Sequence, residues 1–343
     1  MNTQPTPNPT PSQAIRIPVT HRIFAAQRLV NTSDRQEAAR RLVSSAASHG
    51  IDLDLMWGVI PPAESDSAHL VSQVALAVLG AGKTAMIFVS TPTCPIGATD
   101  DLGAHDQQVA EITSSVRCAL DGLRALAPDK VGLAQTLLET EHAWAHQACI
   151  DGGMTSVGTL AYLRKPYASP KRSAQPIPAP VWPAGIEVRP IRSIESNAAD
   201  SDRRDLIAAL EASYLETLDC PELCGIRDME DVVDSHQATG EFSPSRWHLV
   251  YQDNVPVGCC LLSLMPTSRS VELVYIGIGP TARGLGLGES VLGHAINQLG
   301  AIDCKEITCA VDDRNQPAMK IYRSLGFKPF DARLGFVAAI TPR

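Results

Sequence analysis

A glycine-rich segment in the last third of the chain could bind a phosphate group. The segment "ARGLGLGES", residues 282–290, has three glycines at alternate positions behind Arg283. It follows the apolar run "VELVYIGIGP" and precedes apolar residues at helical spacing. Backbone N–H groups and the helix dipole converge at such a strand-to-helix turn and together hold anions. The pattern therefore predicts a phosphate-binding loop.

Two common nucleotide-binding loops do not fit the sequence. In a dinucleotide fingerprint the third glycine would fall at Glu289, and that fingerprint normally opens the first βα unit of a domain. The segment "GAGKT" at 80–84 has the lysine of a Walker A loop, but Ala77 replaces its first glycine and a strand follows rather than precedes it. The hypothesis that the protein is a nucleotide-dependent kinase or ATPase rests on that segment alone and is disfavoured. The remaining pattern is R-x-x-G-x-G, formed by Arg283, Gly286 and Gly288.

Composition limits the class of protein. A chain of 343 residues is typical of two domains, and its net charge of −8 argues against a nucleic-acid partner. Nine scattered cysteines favour free thiols in a reducing cytosol. The start, "MNTQPTPNPTPSQ", lacks the features of a signal peptide, and the longest apolar runs are too short for a membrane span. We expect a soluble cytoplasmic protein without nucleic-acid or membrane partners.

A proline-rich segment divides the chain. "PYASPKRSAQPIPAPVWPAG" favours extended, unpaired backbone and is the predicted linker. The predicted organisation is a disordered tail at 1–13, a first domain at 14–165, the linker at 166–185 and a second domain at 186–343. Strand and helix patterns alternate in the second half, and the first half repeats their order more faintly. When Gly153 is set on Gly326, "TEHAWAHQACIDGGM" lies over "RNQPAMKIYRSLGF", which indicates duplication of a whole domain.

The glycine loop and the segment "NQPAMKIYRSLGF", about thirty residues beyond it, together resemble motifs of the GCN5-related N-acetyltransferase (GNAT) family. The resemblance covers residues 186–340, and the two-domain length matches the tandem-domain type of that family. It implies an α/β fold class with two tandem domains, each a mixed, mostly antiparallel central sheet flanked by helices. It also implies acetyl-CoA as co-substrate, no metal, a small-molecule or peptide amine as acceptor, and a monomer or homodimer.

The resemblance assigns the pyrophosphate of acetyl-CoA to the glycine loop. Glycines let the backbone approach the anion, while Arg283 and the helix N-terminus add positive charge. A bulge at Gly277 would turn nearby backbone amides toward the acetyl carbonyl. The predicted cofactor-binding residues are Ile276, Gly277, Ile278, Arg283, Gly284, Leu285, Gly286, Leu287, Gly288, Glu289 and Asn315.

Two side chains are predicted to move protons. Glu272, five residues before the glycine of "YIGI", is the predicted general base that neutralises the amine, acting through water. Tyr322 is predicted to protonate the departing sulfur. Each has a structural alternative: Glu272 as a surface residue of an alternating strand, Tyr322 as core packing. Asn315 either contacts the cofactor or only caps a helix.

The first half lacks the residues of this chemistry. No R-x-x-G-x-G follows Pro92, and Asp100, Asp101 and Asp106 would repel a pyrophosphate there. In the overlay His142 falls on Asn315 and Cys149 on Tyr322. We therefore expect a degenerate domain that serves as a scaffold or as a wall of the acceptor site.

Other candidate chemistry is weaker. His142 and His146 share a helix face without the glutamate or third ligand of a zinc site, and Cys220 and Cys224 have no second pair. The cysteines in the apolar strands of the second half have no histidine beside them in sequence, so we interpret them as buried residues that fill space in the core. The sequence thus predicts an acetyl-CoA-dependent N-acetyltransferase, EC class 2.3.1. The alternative is a non-catalytic acyl-CoA-binding or sensing protein of the same fold.

Overall fold

The computed structural model describes residues 13–61, 70–93, 102–126, 130–167, 180–195, 198 and 201–340. Most of the predicted tail and linker, together with Asp100 and Asp101, lies outside these residues. The chain divides into two compact units. The first comprises Met1–Ser156 with Phe336–Arg343, and the second comprises Val157–Gly335.

The first unit is a sheet with helices packed on it. Its strands are β1 (Ile15–Arg16), β2 (Met56–Val59), β3 (Gln73–Gly80), β4 (Thr84–Val89) and β5 (Leu133–Glu139), adjacent in that order. Its helices are α1 (Arg22–Leu29), α2 (Arg35–Ser45), α3 (Leu102–Arg124) and α4 (Ala143–Asp151). Neighbouring strands from β1 to β4 are antiparallel, whereas β4 and β5 are parallel.

The second unit repeats this arrangement with longer strands. Its strands are β6 (Thr155–Pro166), β7 (Ile186–Pro190), β8 (Trp247–Gln252), β9 (Val255–Met265), β10 (Ser270–Ile278), β11 (Glu306–Asp312) and the start of β12 (Lys328–Ala339). Their spatial order is β6-β11-β10-β9-β8-β7. Its helices are α5 (Arg203–Tyr214), α6 (Met229–Gln237), α7 (Leu287–Gln298) and α8 (Gln316–Ser324). Pairing is antiparallel except between β10 and β11.

Local sequence signals explain several element boundaries. The side-chain oxygen of Asn315 accepts a hydrogen bond from the Ala318 amide at 3.2 Å, so it caps α8 as predicted, and Gly326 follows the helix at a φ of 85°. Asp253 and Asn254 adopt φ values of 49° and 65°, which suit the tight turn between β8 and β9. The predicted helix cap is therefore present, and a tight turn joins β8 to β9.

The sheet of the second unit has a separate apolar core on each face. One core packs α7 and α8 against Leu262, Leu273 and Ile307. The other packs α5 and α6 against Trp247, which is completely buried, and Leu261. A sheet covered on both faces holds its strands rigidly, so side chains at the strand ends have fixed positions.

Strand β6 lies in the second unit although it precedes the proline-rich segment. It pairs with β11 over seven residue pairs, from Leu160 opposite Asp312 to Pro166 opposite Glu306. Leu163 of β6 is buried in the core that contains α7 and α8. The division into units thus differs from the predicted boundary at 165, because β11 needs a partner strand on this edge and β6 supplies it.

This arrangement predicts how fragments of the chain behave. A fragment of residues 186–343 lacks β6, so the edge of β11 and the core around Leu163 are left open. We expect no cooperative urea unfolding transition from this fragment, whereas a fragment of residues 154–343 that retains β6 should show one. Circular dichroism during urea titration measures both, and equal transitions would contradict the role given to β6.

Candidate active site

The main feature of the second unit is a crevice between two parallel strands. β10 and β11 pair through only three residue pairs, the last of which joins Glu272 to Thr308. Beyond that point β10 stays paired with β9 as far as Ile278, and β11 stays paired with β6. The carboxyl ends of the two strands therefore separate, and such a position is where α/β sheets bind ligands.

A β-bulge follows the last paired residue. The register between β10 and β9 shifts between Leu273 and Tyr275, which places the bulge at Val274. The predicted bulge at Gly277 is wrong, since Gly277 pairs regularly with Cys259. A Cβ on Gly277 would lie 2.5 Å from the Tyr275 hydroxyl, so close packing explains this glycine.

The bulge changes which side chains of β10 share a face. Leu273 and Ile276 pack on the core of α7 and α8, while Val274 and Tyr275 pack on the core of α5 and α6. The edge of β10 beyond Glu272 has no pairing with β11 among the described residues. Amides on this edge, including those predicted near Ile276 and Ile278, can therefore donate to a bound carbonyl oxygen.

Glu272 has the environment of a base. Its side chain is partly buried, and burial raises the pKa of its carboxyl above the ordinary value. Within the described part of the chain it makes no ion pair or hydrogen bond. Its charge contributes to the raised pKa values of Tyr162 and Cys309, which places it near both. A shielded carboxylate with no cation beside it holds a proton more tightly than a surface glutamate.

The glycine loop opens onto solvent in front of α7. Gly284 and Gly286 have φ values of 80° and 72°, and a Cβ on either would meet no atom within 4 Å. Gly286 is the N-cap residue of α7, and within the described ranges no side-chain hydrogen bond caps this helix. The first amides of α7 therefore remain available to an anion. Leu285 is half-exposed, Leu287 is buried and Glu289 is exposed in the first turn.

Two residues of the loop pattern have structural explanations. A Cβ on Gly288 would lie 2.8 Å from the Cδ1 atom of Ile321, so this glycine permits α7 to pack on α8. The guanidinium of Arg283 donates to the carbonyl oxygens of Ile278 at 2.8 Å and Leu215 at 2.7 Å, and to two more at the end of α5. It therefore fastens the end of α5 to the end of β10. The predicted contact of Arg283 with phosphate stays a prediction.

Tyr322 lies on α8 with only 5% of its surface exposed. Burial raises the pKa of its phenol well above the usual value, and nearby Cys309 and Asp219 add to the shift. The hydroxyl is thus protonated at neutral pH and can donate. It has no hydrogen-bond partner in the part of the chain that the structure describes. Its ring packs with Phe327 at a centroid distance of 5.6 Å, so it also contributes to the core.

Asp219 is a site residue that sequence reasoning missed. Its carboxylate accepts a hydrogen bond from the Asp312 amide at 2.8 Å and another from the Asn315 side chain. Burial raises its pKa, and its charge acts on Tyr322 and Tyr275. Asn315 therefore links the start of α8 to this carboxylate, and its predicted contact with the cofactor stays a prediction. The surrounding "YLETLDCPELCG" has no periodicity that would have indicated Asp219.

An aromatic cluster on the other side of β10 was also missed. Tyr275 stacks on Tyr214 and His236, with centroid distances of 5.7 and 5.6 Å. Its hydroxyl lies 2.7 Å from the hydroxyl of Ser213. A tyrosine two residues before the glycine of "YIGI" was visible in the sequence, but the bulge that turns it onto this face was not.

The first unit has the same strand geometry without the same chemistry. β4 and β5 pair through three residue pairs that end with Met86 opposite Gln135. Met86 thus occupies the position of Glu272 and has no group that could accept a proton. The pairing of β3 with β4 shows no bulge. Cys149, which the overlay set on Tyr322, is buried, and burial raises its pKa to about 12.

The rejected metal sites have other contacts. His142 lies against Trp144 with the two rings tilted and their centroids 5.4 Å apart, and His146 packs edge-on against Phe336. No group of three or more potential metal-ligating side chains occurs among the residues that the structure describes. Within the same residues, no helix has the length and apolar character needed to cross a membrane.

Part of the second unit is similar to a known protein family. Residues 211–327 match the profile of the acetyltransferase (GNAT) family. The matched region contains Glu272, the glycine loop and Tyr322. The predicted resemblance is thereby confirmed.

Two curated relatives are mycothiol acetyltransferases. The protein from Streptomyces bingchenggensis is 29% identical over 184 residues, which cover 53% of this chain and 55% of the relative. The protein from Thermomonospora curvata is 28% identical over 205 residues, covering 60% and 63%. The chain thus spans between half and two thirds of the length of these relatives.

A solved structure extends the comparison to nearly the whole chain. The GCN5-related N-acetyltransferase from Sphaerobacter thermophilus aligns with a TM-score of 0.53 at 18% identity and covers 96% of each chain. At this identity the likeness concerns the fold alone. The predicted α/β fold class, a mixed sheet flanked by helices, is confirmed.

The open glycine loop leads to a prediction about CoA binding. Replacing Gly286 with Ala imposes a left-handed backbone on a residue with a Cβ, at about 1–2 kcal/mol, and aims that Cβ into the space in front of α7. We expect affinity for acetyl-CoA to fall at least about tenfold by calorimetry, which corresponds to about 1.4 kcal/mol.

Gly300→Ala is the matched control. Gly300 follows α7 at a φ of 66°, and its Cβ would meet only one atom, at 4.0 Å. This variant carries the same backbone strain at the other end of the helix and should bind acetyl-CoA normally. Equal affinity of the Gly286 variant and the unmodified protein would remove the loop from the binding site.

Proposed function

We propose that this protein is an acetyl-CoA-dependent N-acetyltransferase that acetylates the primary amine of an acceptor. Its active site lies in the second unit. The observation that carries the proposal is the crevice between β10 and β11. An uncapped helix with an open glycine loop, a shielded carboxylate and a protonated tyrosine belong to the elements around it.

The glycine loop fits the pyrophosphate of the co-substrate. Gly284 and Gly286 have conformations that leave the space before α7 empty, and the first amides of that helix can donate to phosphate oxygens. The bound thioester supplies an activated acetyl group. Amides on the open edge of β10 stabilise the negative charge that develops on its carbonyl oxygen.

Glu272 prepares the acceptor. An alkyl amine is protonated at neutral pH and has no free electron pair, so it must lose a proton before it attacks. The raised pKa of Glu272 makes its carboxylate a stronger base than an exposed glutamate. The proton passes to Glu272 directly or through one water, and the amine nitrogen forms the new bond to the carbonyl carbon.

Tyr322 completes the reaction. When the carbon–sulfur bond breaks, the electron pair leaves with sulfur, and the tyrosine hydroxyl donates a proton to it. The nitrogen then gives up its second proton to the tyrosinate, directly or through water, which forms the neutral amide and restores the phenol. Its raised pKa keeps it protonated until then. The negative charge of Asp219 raises this pKa further, so loss of Asp219 would make the phenol a stronger acid.

The acceptor approaches a wall formed partly by β6. Tyr162 is near Glu272, and Phe330, which is 45% exposed, contacts both Tyr162 and the guanidinium of Arg164. An exposed aromatic ring beside a cation suits an acceptor with an apolar or sugar-like face. The names of the curated relatives make an amine precursor of mycothiol the first acceptor to assay.

Glu272→Gln tests the base. The amide keeps the shape of the side chain but cannot accept the proton, so we expect kcat to fall by about 10²–10⁴-fold while acetyl-CoA affinity is retained. In the unmodified enzyme the rate should fall as pH drops through the raised pKa of Glu272, because the protonated carboxyl is not a base.

The CoA released is measured with a thiol reagent, which gives kcat and its dependence on pH. If the fall in rate at low pH is unchanged in Glu272→Gln, this residue is not the base. If the unmodified protein binds acetyl-CoA but releases no CoA with any of a wide range of amines, the non-catalytic binding protein becomes the better description.

Tyr322→Phe tests the acid. The ring packing is kept and only the proton donor is lost, so kcat should fall by about 10²–10⁴-fold with little change in acetyl-CoA affinity. Tyr167→Phe is the control. It removes a hydroxyl that donates to the Gly300 carbonyl oxygen, away from the crevice.

Cys149→Ser in the first unit should leave turnover within a small factor. A dead Cys149 variant with an active Tyr322 variant would place catalysis in the first unit.

A further inference from the structure

The first unit contains a cavity of about 480 Å³ at the point where β4 and β5 separate. Its lining includes the end of β4, the end of β5 and the turn between α1 and α2. The volume lies within the range of small-molecule sites, and the carboxyl ends of separated parallel strands are a usual place for them. Since Met86 stands where the second unit has Glu272, such a site would bind without catalysing acetyl transfer.

Two arginines give this cavity a positive wall. Arg28 donates through Nε to the Ser72 carbonyl at 2.9 Å and through Nη2 to the Thr91 carbonyl at 2.5 Å, which fixes its position. Arg35 is exposed at the start of α2 and also lines the cavity. Neither arginine forms an ion pair with any residue of the described ranges. Burial, and then the charge of Arg35, lower the pKa of Arg28, so the two cations are close together.

The rest of the lining limits the charge of a ligand. Among the lining residues that the structure describes, Glu139 is the only carboxylate, and it stands at the end of β5. The described lining therefore has two guanidiniums and one carboxylate. This balance favours a single anionic group over the several phosphate charges of CoA. Leu29, Val89 and Trp144 add apolar surface for the body of the ligand.

We propose that the cavity of the first unit binds a small monocarboxylate with an apolar body, its carboxylate held by Arg28 and Arg35. Nε and Nη2 of Arg28 donate to Ser72, Gln73 and Thr91, whereas its Nη1 makes no hydrogen bond within the described residues and can donate to one carboxylate oxygen. Arg35 can donate to the other oxygen, and the fixed geometry of Arg28 reduces the entropy lost on binding. The site is separate from the crevice of the second unit and is independent of the acetyltransferase proposal.

Calorimetry on the full-length protein tests the site with phenylacetate as the probe and phenylacetamide as its uncharged counterpart. We expect phenylacetate to bind at least about tenfold more tightly than the amide, since charged hydrogen bonds are the stronger ones. Arg35→Gln should weaken phenylacetate binding without loss of folding, because this side chain makes no hydrogen bond in the described structure. Arg28→Gln should weaken it further, with folding checked by circular dichroism.

Arg40→Gln is the control, since Arg40 is exposed on the same helix but does not line the cavity. Loss of phenylacetate binding in the Arg35 variant and not in the Arg40 variant supports the proposal. Equal binding of phenylacetate and phenylacetamide, no binding of phenylacetate, or equal effects of the two variants would overturn it. Displacement of phenylacetate by CoA would also overturn it, because the cavity would then be a thioester site.

Discussion

The separation of β10 from β11 after three residue pairs is the constraint on which the proposed site depends. Paired strands satisfy each other's backbone groups, and an edge left open within a covered sheet must find another partner. In the second unit the bulge at Val274 follows directly, and β6 holds the other edge of β11. A ligand carbonyl is one group that could satisfy the open edge, and this explains why binding chemistry collects there.

The two units share this strand geometry and differ in the residues placed on it. Glu272 ends the parallel pairing in the second unit, whereas Met86 ends it in the first. A carboxylate there can accept a proton, and a thioether cannot. The described lining of the cavity in the first unit instead contains two arginines and one carboxylate. A duplicated fold thus supports transfer chemistry in one unit and, by our inference, simple binding in the other.

Local chemistry could be predicted from the sequence where a few neighbouring residues determine it. Asn315 caps α8 as expected, and the glycines at 284 and 286 have the positive φ values that their turn requires. Features set by distant residues could not be predicted. The bulge depends on the register of β9 against β10, and Asp219 is held by Asp312 and Asn315 from across the fold. The bonds of Arg283 to the end of α5 likewise involve residues about seventy positions away.

Amide hydrogen exchange with and without acetyl-CoA probes the open edge of β10 and the glycine loop together, because it reports on each strand separately without altering any residue. We expect slower exchange in the presence of acetyl-CoA at residues 273–278 of β10 and at 284–290 of the glycine loop and first turn of α7. Unchanged exchange in both segments at a saturating concentration of acetyl-CoA, above all with slower exchange in β5 of the first unit, would contradict the proposed site.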